Sequence, residues 1–181
     1  MQYLQNFQKD EPCFSALAAP PLRDLLKVRI DGCSAIGLNS NSDHRGHLIE
    51  LLTTRDSPID PIVHVYQVFA EPHSIRAWIF HAVQTDRLCF TEGRFRVVLF
   101  DIRENSPTFE RYAELIVGEH MPVRLTIPPF VVHGVQNLGE TRASYLNMPD
   151  RVYNLMDPDK YRVPADSSLI DFAWEAVCLQ S

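Results

Sequence analysis

The amino-acid sequence predicts an all-β fold, a sandwich or a barrel, and two observations indicate this class. Between residues 31 and 148, short segments rich in β-branched and aromatic residues alternate with turn residues, at the spacing of roughly 8–12 residues that is typical of such folds. The chain also lacks the strand–helix–strand alternation, the G-x-G-x-x-G motif and the P-loop of nucleotide-binding α/β proteins. A length of 181 residues, of which 45% are hydrophobic, suits a single domain.

The first predicted element is an N-terminal arm, residues 1–30. Its last part, PPLRDLLKVRI (20–30), places prolines at a plausible helix start and three leucines at helical spacing, which predicts a short helix. Residues 31–181 are predicted to form the β domain, including a C-terminal part that wraps around it.

Eight strand-like segments follow the arm. The clearest is the fifth, whose alternate residues are hydrophobic on both faces, so we predict a sheet that is covered on both sides. The proline- and aspartate-rich stretch 154–174 is predicted to be the wrapping arm. In chain order, the eight segments are HLIELLT (47–53), PIVHVYQVFA (61–70), SIRAWIFHAV (74–83), RLCFTEG (87–93), RFRVVLFDI (94–102), AELIVG (113–118), VRLTIP (123–128) and RASYLNM (142–148).

Composition and charge exclude several classes of protein. The net charge of -6 and the pI of about 5.6 argue against a nucleic-acid-binding surface. No apolar run approaches the roughly 18 residues of a membrane span, and the N-terminus lacks the basic region and apolar run of a signal peptide. We therefore predict no nucleic-acid or membrane partner and a cytoplasmic location. The four cysteines show no metal-binding spacing, and reduced thiols are expected.

The most specific stretch is IPPFVVHGVQN (127–137). Pro128, His133 and Asn137 stand at the spacing of P-x-G-x-x-H-x-x-x-N, the second motif of the cupin superfamily, with Phe130 in place of the glycine. The stretch therefore resembles a cupin. The resemblance implies a double-stranded β-helix, the cupin jelly roll, here with a short N-terminal helix and a C-terminal arm. It also implies that the motif's histidine points into the barrel.

Further segments resemble one cupin branch, the dTDP-4-dehydrorhamnose 3,5-epimerase family and its nucleotide-sugar relatives. In the family's order, the similar segments are DHRGHLIEL (43–51), VYQVF (65–69), IRAWIFH (75–81), EGRFRVVLFDIRENSPTFERY (92–112), PPFVVHGVQNLGE (128–140) and ASYLN (143–147). No single motif is decisive, but their shared order extends the resemblance over about residues 32–174.

The resemblance implies an epimerase or isomerase that acts on a nucleotide-linked 4-keto-sugar of the dTDP class, uses no cofactor and no metal, and forms a homodimer. Such a reaction needs a base near neutral pKa, a group that stabilises the enolate oxygen and an acid on the opposite face. Arginines suit the diphosphate because their forked donors match phosphate oxygens. The implied residues are His81, Tyr145 and Arg87 for catalysis, and Arg45, Gln67, Arg76, His133 and Asn147 for substrate binding.

The chain departs from the family at the position of its base. With Arg76 kept in register, the family's catalytic histidine falls on Ile79, and isoleucine cannot transfer a proton. His81 lies two residues on and faces the same side of a strand. We predict that it is the compensating base, although a role as a hydrogen-bonded barrel histidine stays open.

Two further groups of the family lack a match. Its lysine falls near Asp86 or Arg87, and its base-orienting aspartate has no counterpart that we can align in the C-terminal segment. The only lysines are Lys9, Lys27 and Lys160. A mechanism that needs a lysine inside the central barrel is therefore expected to use arginine instead, which is not a proton-transfer group.

Two alternative functions stay open. A metal-dependent cupin oxygenase acting on a small organic substrate would need histidine and carboxylate ligands, for which His81 and His133 with Asp86 or Gln84 are candidates. A non-catalytic ligand-binding cupin would keep the barrel while its pocket has lost the chemistry. The epimerase and the oxygenase hypotheses predict different chemistry at His81, and the non-catalytic hypothesis predicts none.

Overall fold

Every element of the protein is a β-strand in the parts of the chain that the computed structural model describes. These parts are residues 24–26 (backbone only), 29–53 and 62–174. The strands are β1 (Asp24–Leu26), β2 (Ser34–Gly37), β3 (Ser40–Asp43), β4 (Gly46–Ile49), β5 (Tyr66–Ala70), β6 (Ile75–Phe80), β7 (Asp86–Phe90), β8 (Arg94–Asp101), β9 (Tyr112–Gly118), β10 (Val123–Ile127), β11 (Val131–Asn137), β12 (Ala143–Asn147) and β13 (Tyr161–Arg162). Within these parts, no helix is long and apolar enough to cross a membrane.

The strands form two antiparallel sheets and a separate hairpin. The six-stranded sheet has the order β1-β2-β10-β7-β12-β5, and the five-stranded sheet has the order β13-β6-β11-β8-β9. Strands β3 and β4 form the hairpin. The non-sequential strand order within each sheet fits the predicted jelly roll, because strands distant in sequence are neighbours in both.

The core lies between the two sheets. Their inner faces contribute one hydrophobic cluster, which includes Phe90 from the six-stranded sheet and Phe95, Val97 and Leu99 from the five-stranded sheet. Val98, on the opposite face of β8, belongs to a second cluster. The prediction that β8 is covered on both sides is therefore confirmed, and the double burial explains its continuous apolar sequence.

The second cluster lies under the C-terminal arm. Trp78 and Val98 from the five-stranded sheet pack there against Ile170, Phe172 and Trp174. The short strand β13 continues this arm and pairs with β6. The predicted C-terminal wrap is confirmed. The arm covers the outer face of the five-stranded sheet.

The sequence prediction fails at the N-terminal arm. Within the segment predicted to be a helix, Asp24–Leu26 form strand β1, which pairs with β2 through Asp24↔Ile36 and Leu26↔Ala35. The remaining residues of the predicted helix up to residue 28 lie outside the described parts of the chain. Pairing along a sheet edge satisfies backbone groups over a long sequence distance, and it outweighs the weak helical spacing of three leucines.

Candidate active site

A small cavity of about 80 Å³ lies between the inner faces of the two sheets. The six-stranded sheet contributes side chains from β5, β7 and β12, and the five-stranded sheet contributes side chains from β6 and β11. The cavity is lined by Tyr66, Val68, Arg76, Ile79, His81, Asp86, Leu88, His133, Val135, Tyr145, Asn147 and Lys160.

Asp86 is the centre of a buried polar network in this cavity. Its Oδ2 lies 3.4 Å from Nε2 of His81 and 3.5 Å from Nε2 of His133. Its Oδ1 accepts hydrogen bonds from the amides of Gln84, at 2.8 Å, and Asn147, at 2.9 Å. One carboxylate therefore joins both histidines to two amide donors, and the network holds the two imidazoles toward the same space.

The two histidines have different electrostatic surroundings. Burial lowers the pKa of His81, but its hydrogen bond to Asp86, the charge of that carboxylate and a contact with Asp159 outweigh burial and leave the pKa raised. Burial dominates at His133 and lowers its pKa, although Asp86 opposes the shift. The His81 and His133 contacts in turn hold the pKa of Asp86 well below its ordinary range, against the effect of burial. Environments that move two pKa values apart are typical of sites that transfer protons.

His81 is oriented from the C-terminal arm. Its Nδ1 contacts the carbonyl oxygen of Asp159 and lies 4.0 Å from that residue's carboxylate. The same carboxylate accepts hydrogen bonds from the backbone N–H groups of Ala82, Val83 and Gln84, at 2.7, 3.0 and 2.8 Å. With Nδ1 held by Asp159, the Nε2 atom of His81 is the one that faces the cavity. Asp159 is thus an orienting aspartate that sequence reasoning did not identify.

Tyr145 reaches the cavity from the opposite sheet. Its ring packs in the core against Phe90 and Phe95, with centroids 4.9 and 5.5 Å away. Burial raises the pKa of its phenol well above the ordinary value, and Arg76 opposes this shift. A phenol with a raised pKa stays protonated at neutral pH, which is the state that an acid needs.

Of the eight residues named from the sequence, the structure brings five together at this cavity. They are Arg76, His81, His133, Tyr145 and Asn147. Arg76 donates a hydrogen bond to the carbonyl oxygen of Phe69 at 3.0 Å. Asn147 links Asp86 to the hydroxyl of Tyr66, to which it donates at 2.8 Å.

The other three residues lie elsewhere. Arg87 follows Asp86 on β7, so its side chain points away from the cavity, and it donates to the carbonyl of Met148 at 3.3 Å. The period of a strand places Arg87 and Asp86 on opposite faces, so the position of Arg87 gives no support to the enolate-stabilising role predicted for it. Gln67 likewise points outward from β5 and donates to Ser144 at 2.9 Å. Arg45 lies on the exposed β3–β4 hairpin in an ion pair with Asp43.

Three polar cavity residues had no role in the predicted epimerase chemistry: Tyr66, Lys160 and Asp86, of which Asp86 was named only as a candidate metal ligand. Tyr66 could have been found by its period-two spacing from Val68 on β5, and Asp86 by the same spacing from Leu88 on β7. Lys160 corrects the expectation that no lysine serves the barrel, because the C-terminal arm carries it to the cavity. Nothing in its local sequence indicates that position.

Asp101 belongs to a second buried cluster that does not line the cavity. It accepts hydrogen bonds from the Arg103 side chain, at 2.7 and 2.8 Å, and from the hydroxyls of Ser106 and Thr108, both at 2.6 Å. Together with Pro107, these four residues are the ones at which segment 92–112 resembles the family. The cluster closes the loop between β8 and β9, so its role is structural.

The described residues also test the metal-dependent alternative. Across residues 29–53 and 62–174, no group of three or more histidine, cysteine, aspartate or glutamate side chains is arranged to hold a metal ion. His81 and His133 face the carboxylate of Asp86 at hydrogen-bonding or longer distances instead. The oxygenase reading therefore has no described ligand cluster to rest on.

Comparison with known proteins identifies a family model that matches residues 27–180 and describes dTDP-4-dehydrorhamnose 3,5-epimerase. The chain is 34% identical over 142 residues to the probable low-salt glycan biosynthesis epimerase Agl13 of Haloferax volcanii, covering 77% of this chain and 90% of that protein. It is 34% identical over 145 residues to the spore coat polysaccharide biosynthesis protein SpsL of Bacillus subtilis, covering 80% and 96%.

Solved structures show the same fold. A dTDP sugar isomerase from Desulfovibrio desulfuricans superposes with a TM-score of 0.77 at 27% identity, covering 82% of this chain and 94% of that one. A dTDP-4-dehydrorhamnose 3,5-epimerase from Bacillus anthracis, solved with TDP and PPi bound, gives a TM-score of 0.70 at 19% identity, covering 81% and 86%. At that lower identity the similarity concerns the fold alone.

Proposed function

The chain belongs to the dTDP-4-dehydrorhamnose 3,5-epimerase family, and from this premise we propose that it inverts a carbon next to the keto group of a dTDP-linked 4-keto-sugar, without a cofactor. One observation carries the proposal. His81 and Tyr145 enter one cavity from the two opposing sheets. Epimerisation needs a base and an acid on opposite faces of the reacting carbon, and groups on opposite walls meet that need.

His81 is the proposed base, in place of the family's histidine whose position is Ile79. Its Nδ1 is held by Asp159, so the neutral imidazole presents the lone pair of Nε2 to the cavity. Its pKa is raised, so activity should increase as the pH rises through that pKa and the imidazole loses its proton. The contacts of Nε2 with Asp86, at 3.4 Å, and with Gln84, at 3.3 Å, are longer than typical hydrogen bonds, and we expect the substrate to replace them when it binds.

Tyr145 is the proposed acid. Among the described residues its hydroxyl has no hydrogen-bond partner, and its phenol is kept protonated by burial. Polar groups near the core are normally paired, so an unpaired hydroxyl that lines a cavity supports a contact with substrate. The proton returned by Tyr145 would reach the face opposite to His81.

Arg76 is the proposed ligand of the diphosphate, with His133 and Asn147 contacting the sugar. Arg76 lines the cavity and donates only to a carbonyl among the described residues, so its charge is available to an anion. The B. anthracis relative was solved with TDP and PPi, which supports a diphosphate site in this fold. The roles of Arg45 and Gln67 stay predictions, because neither residue lines the cavity of the single chain.

A homodimer in the cytoplasm is part of the same proposal. Strand β5 is an edge of the six-stranded sheet, and its exposed side includes Phe69, which is 46% exposed. The approach to it includes Ile62, Val63 and Val65, each about half exposed. An unpaired edge with apolar side chains is a surface that proteins normally cover. Light scattering coupled to gel filtration should give twice the chain mass of 20.7 kDa.

The proposed function is tested with the wild-type protein and dTDP-4-keto-6-deoxyglucose. We expect NMR to show a product inverted next to the keto group, and we expect excess thymidine diphosphate to inhibit its formation. Calorimetry should detect thymidine diphosphate binding without added metal. A protein that neither binds thymidine diphosphate at millimolar concentration nor changes the sugar would contradict the proposal and favour the non-catalytic reading.

A further inference from the structure

Lys160 carries an inference that rests on the proposed function and deepens it. We propose that Lys160 is a catalytic residue that donates a hydrogen bond to the enolate oxygen formed during epimerisation. Sequence reasoning assigned this role to Arg87, whose side chain lies on the other face of β7. Lys160 comes instead from the C-terminal arm, more than 70 positions after Arg87 in the chain.

The position of Lys160 is fixed from both sides. On one side, the carboxylate of Asp159 accepts three backbone N–H groups of the β6–β7 loop. On the other side, Tyr161 pairs with Phe80 in the β13–β6 ladder, and the two rings stack with centroids 4.7 Å apart. A lysine anchored by both neighbours pays less conformational entropy to hold its side chain over the cavity.

The ammonium of Lys160 is uncommitted. Among the described residues, it has no hydrogen-bond partner and no carboxylate within 4.0 Å, although the side chain is partly buried and lines the cavity. Burial lowers its pKa and the charge of Arg162 adds to this effect, while Asp86 opposes it. Partly buried lysines are normally paired or extend their charge into water, so this one is placed to meet an oxygen that only a ligand brings.

The two nearby arginines are less suited to this role, because Arg76 is the proposed ligand of the diphosphate and the side chain of Arg87 does not line the cavity. Arg76 donates to the carbonyl of Phe69 at 3.0 Å, and Arg87 is directed to the carbonyl of Met148. The charge of Lys160 also acts on His133, whose pKa it helps to lower. Lys160 and both histidines therefore line the same cavity, which is the one in which the reaction is proposed to occur.

The reaction step balances with Lys160 in this role. His81 takes the proton from the carbon next to the keto group, the C–H electron pair becomes the C=C bond of the enolate, and the carbonyl π pair moves to oxygen. Lys160 donates a hydrogen bond to that oxygen and keeps its protons. Tyr145 then protonates the opposite face and the carbonyl re-forms. His81 finally releases its proton to water, and the phenolate of Tyr145 takes one proton from water.

The test compares Lys160→Gln, Lys160→Arg and a control, Arg162→Gln, which removes a nearby exposed cation that does not line the cavity. With dTDP-4-keto-6-deoxyglucose as the probe, we expect Lys160→Gln to lower kcat about 100-fold, as for the loss of one enolate or oxyanion donor, with little change in KM. Lys160→Arg should recover at least about tenfold of that loss, and Arg162→Gln should behave like the wild type.

The outcomes separate this inference from the function on which it rests. Thymidine diphosphate binding and the thermal midpoint of each variant report whether the cavity and fold survive, so a kcat loss in an intact variant supports the role. Wild-type activity with an unchanged kcat in Lys160→Gln would overturn the inference alone. An increase in KM without a change in kcat would also overturn it, because it would make Lys160 a binding residue. A wild-type protein with no activity would overturn the proposed function as well.

Discussion

Two aspartates, Asp86 and Asp101, are buried within the described parts of the chain, and both have a pKa held well below the ordinary range, against the effect of burial. Asp101 faces donors whose protonation does not change near neutral pH: the guanidinium of Arg103 and the hydroxyls of Ser106 and Thr108. Asp86 faces two histidines and lines a cavity. The same ionised group is therefore built into two different environments.

The difference shows that a perturbed pKa alone does not identify an active site. Asp101 does not line the cavity that holds Asp86, and its carboxylate accepts hydrogen bonds from the Arg103 side chain and from the hydroxyls of Ser106 and Thr108. The Asp86 network lines a cavity together with Tyr145 and Lys160, whose hydroxyl and ammonium have no hydrogen-bond partner among the described residues. A catalytic role for Asp86, and a structural role for Asp101, are indicated by three features found only at Asp86: titratable partners, a cavity, and cavity groups without partners among the described residues.

The largest expected effect tests the structural role of Asp101. Asp101→Ala should lower the free energy of unfolding by about 3 kcal/mol, because it leaves the partly buried guanidinium of Arg103 and two partly buried hydroxyls without their acceptor. Urea unfolding followed by circular dichroism measures this change. Asp43→Ala is the matched control, since Asp43 and Arg45 form the same D-x-R pair on an exposed hairpin, and it should leave stability unchanged. An equal loss from both variants would contradict the structural role of burial.

The second largest effect tests the catalytic role of Asp86. Asp86→Asn keeps the shape of the side chain and its Oδ1 acceptor, but it removes the charge that raises the pKa of His81. We expect kcat to fall about 100-fold, or about 2.7 kcal/mol in the activation free energy. The acid limb of the pH–rate profile should move to lower pH. Wild-type kcat together with an unchanged profile would show that Asp86, like Asp101, serves structure.

A smaller effect is expected at Arg76, which can be compared with Arg103 in the Asp101 cluster. Arg103 is bound to a carboxylate, whereas Arg76 donates to a carbonyl and keeps its charge for a ligand. Arg76→Gln should raise KM for the dTDP-sugar about tenfold, or about 1.4 kcal/mol, with kcat nearly unchanged. Steady-state kinetics measure both constants. If KM stays constant, the diphosphate binds elsewhere, and the exposed hairpin with Arg45 becomes the next place to test.

The smallest effect concerns the pH dependence of stability. Because the folded-state pKa of His81 is raised, its stabilising contribution is fully present below the unfolded value of about 6.5 and is lost as the pH rises through the folded pKa. The cost of His81→Gln should therefore be larger at about pH 6 than at about pH 8.5. The cost of Asp101→Ala should be constant over this range, because Asp101 and Arg103 stay ionised. Urea titrations at the two pH values would refute this if the His81→Gln cost grew with pH.

Much of the fold and part of the site could be predicted from sequence. Strand β8 revealed its double burial by apolar residues on both faces, and the order of the motifs placed His133 and Tyr145 at one pocket. His81 was found because a two-residue step keeps a side chain on the same face of a strand. These successes depend on local periodicity or on motif order.

The rest depends on long-range placement that local patterns do not encode. Arg87 and Asp86 are neighbours, and only the register of β7 decides which one faces the cavity. Asp159 and Lys160 lie in a proline- and aspartate-rich arm without periodicity, and their position follows from the pairing of β13 with β6. The orienting carboxylate and the cavity lysine were therefore found only when the arm was seen in place.

The most direct test of the central claim, that His81 removes the proton next to the keto group, is solvent deuterium exchange. Wild-type protein and His81→Asn are incubated with dTDP-4-keto-6-deoxyglucose in deuterated buffer, and deuterium at the carbons beside the keto group is measured by mass spectrometry. We predict rapid incorporation with the wild type and a rate at least about 100-fold lower with His81→Asn, while thymidine diphosphate binding is kept. Deuterium incorporation by His81→Asn at the wild-type rate would contradict the claim.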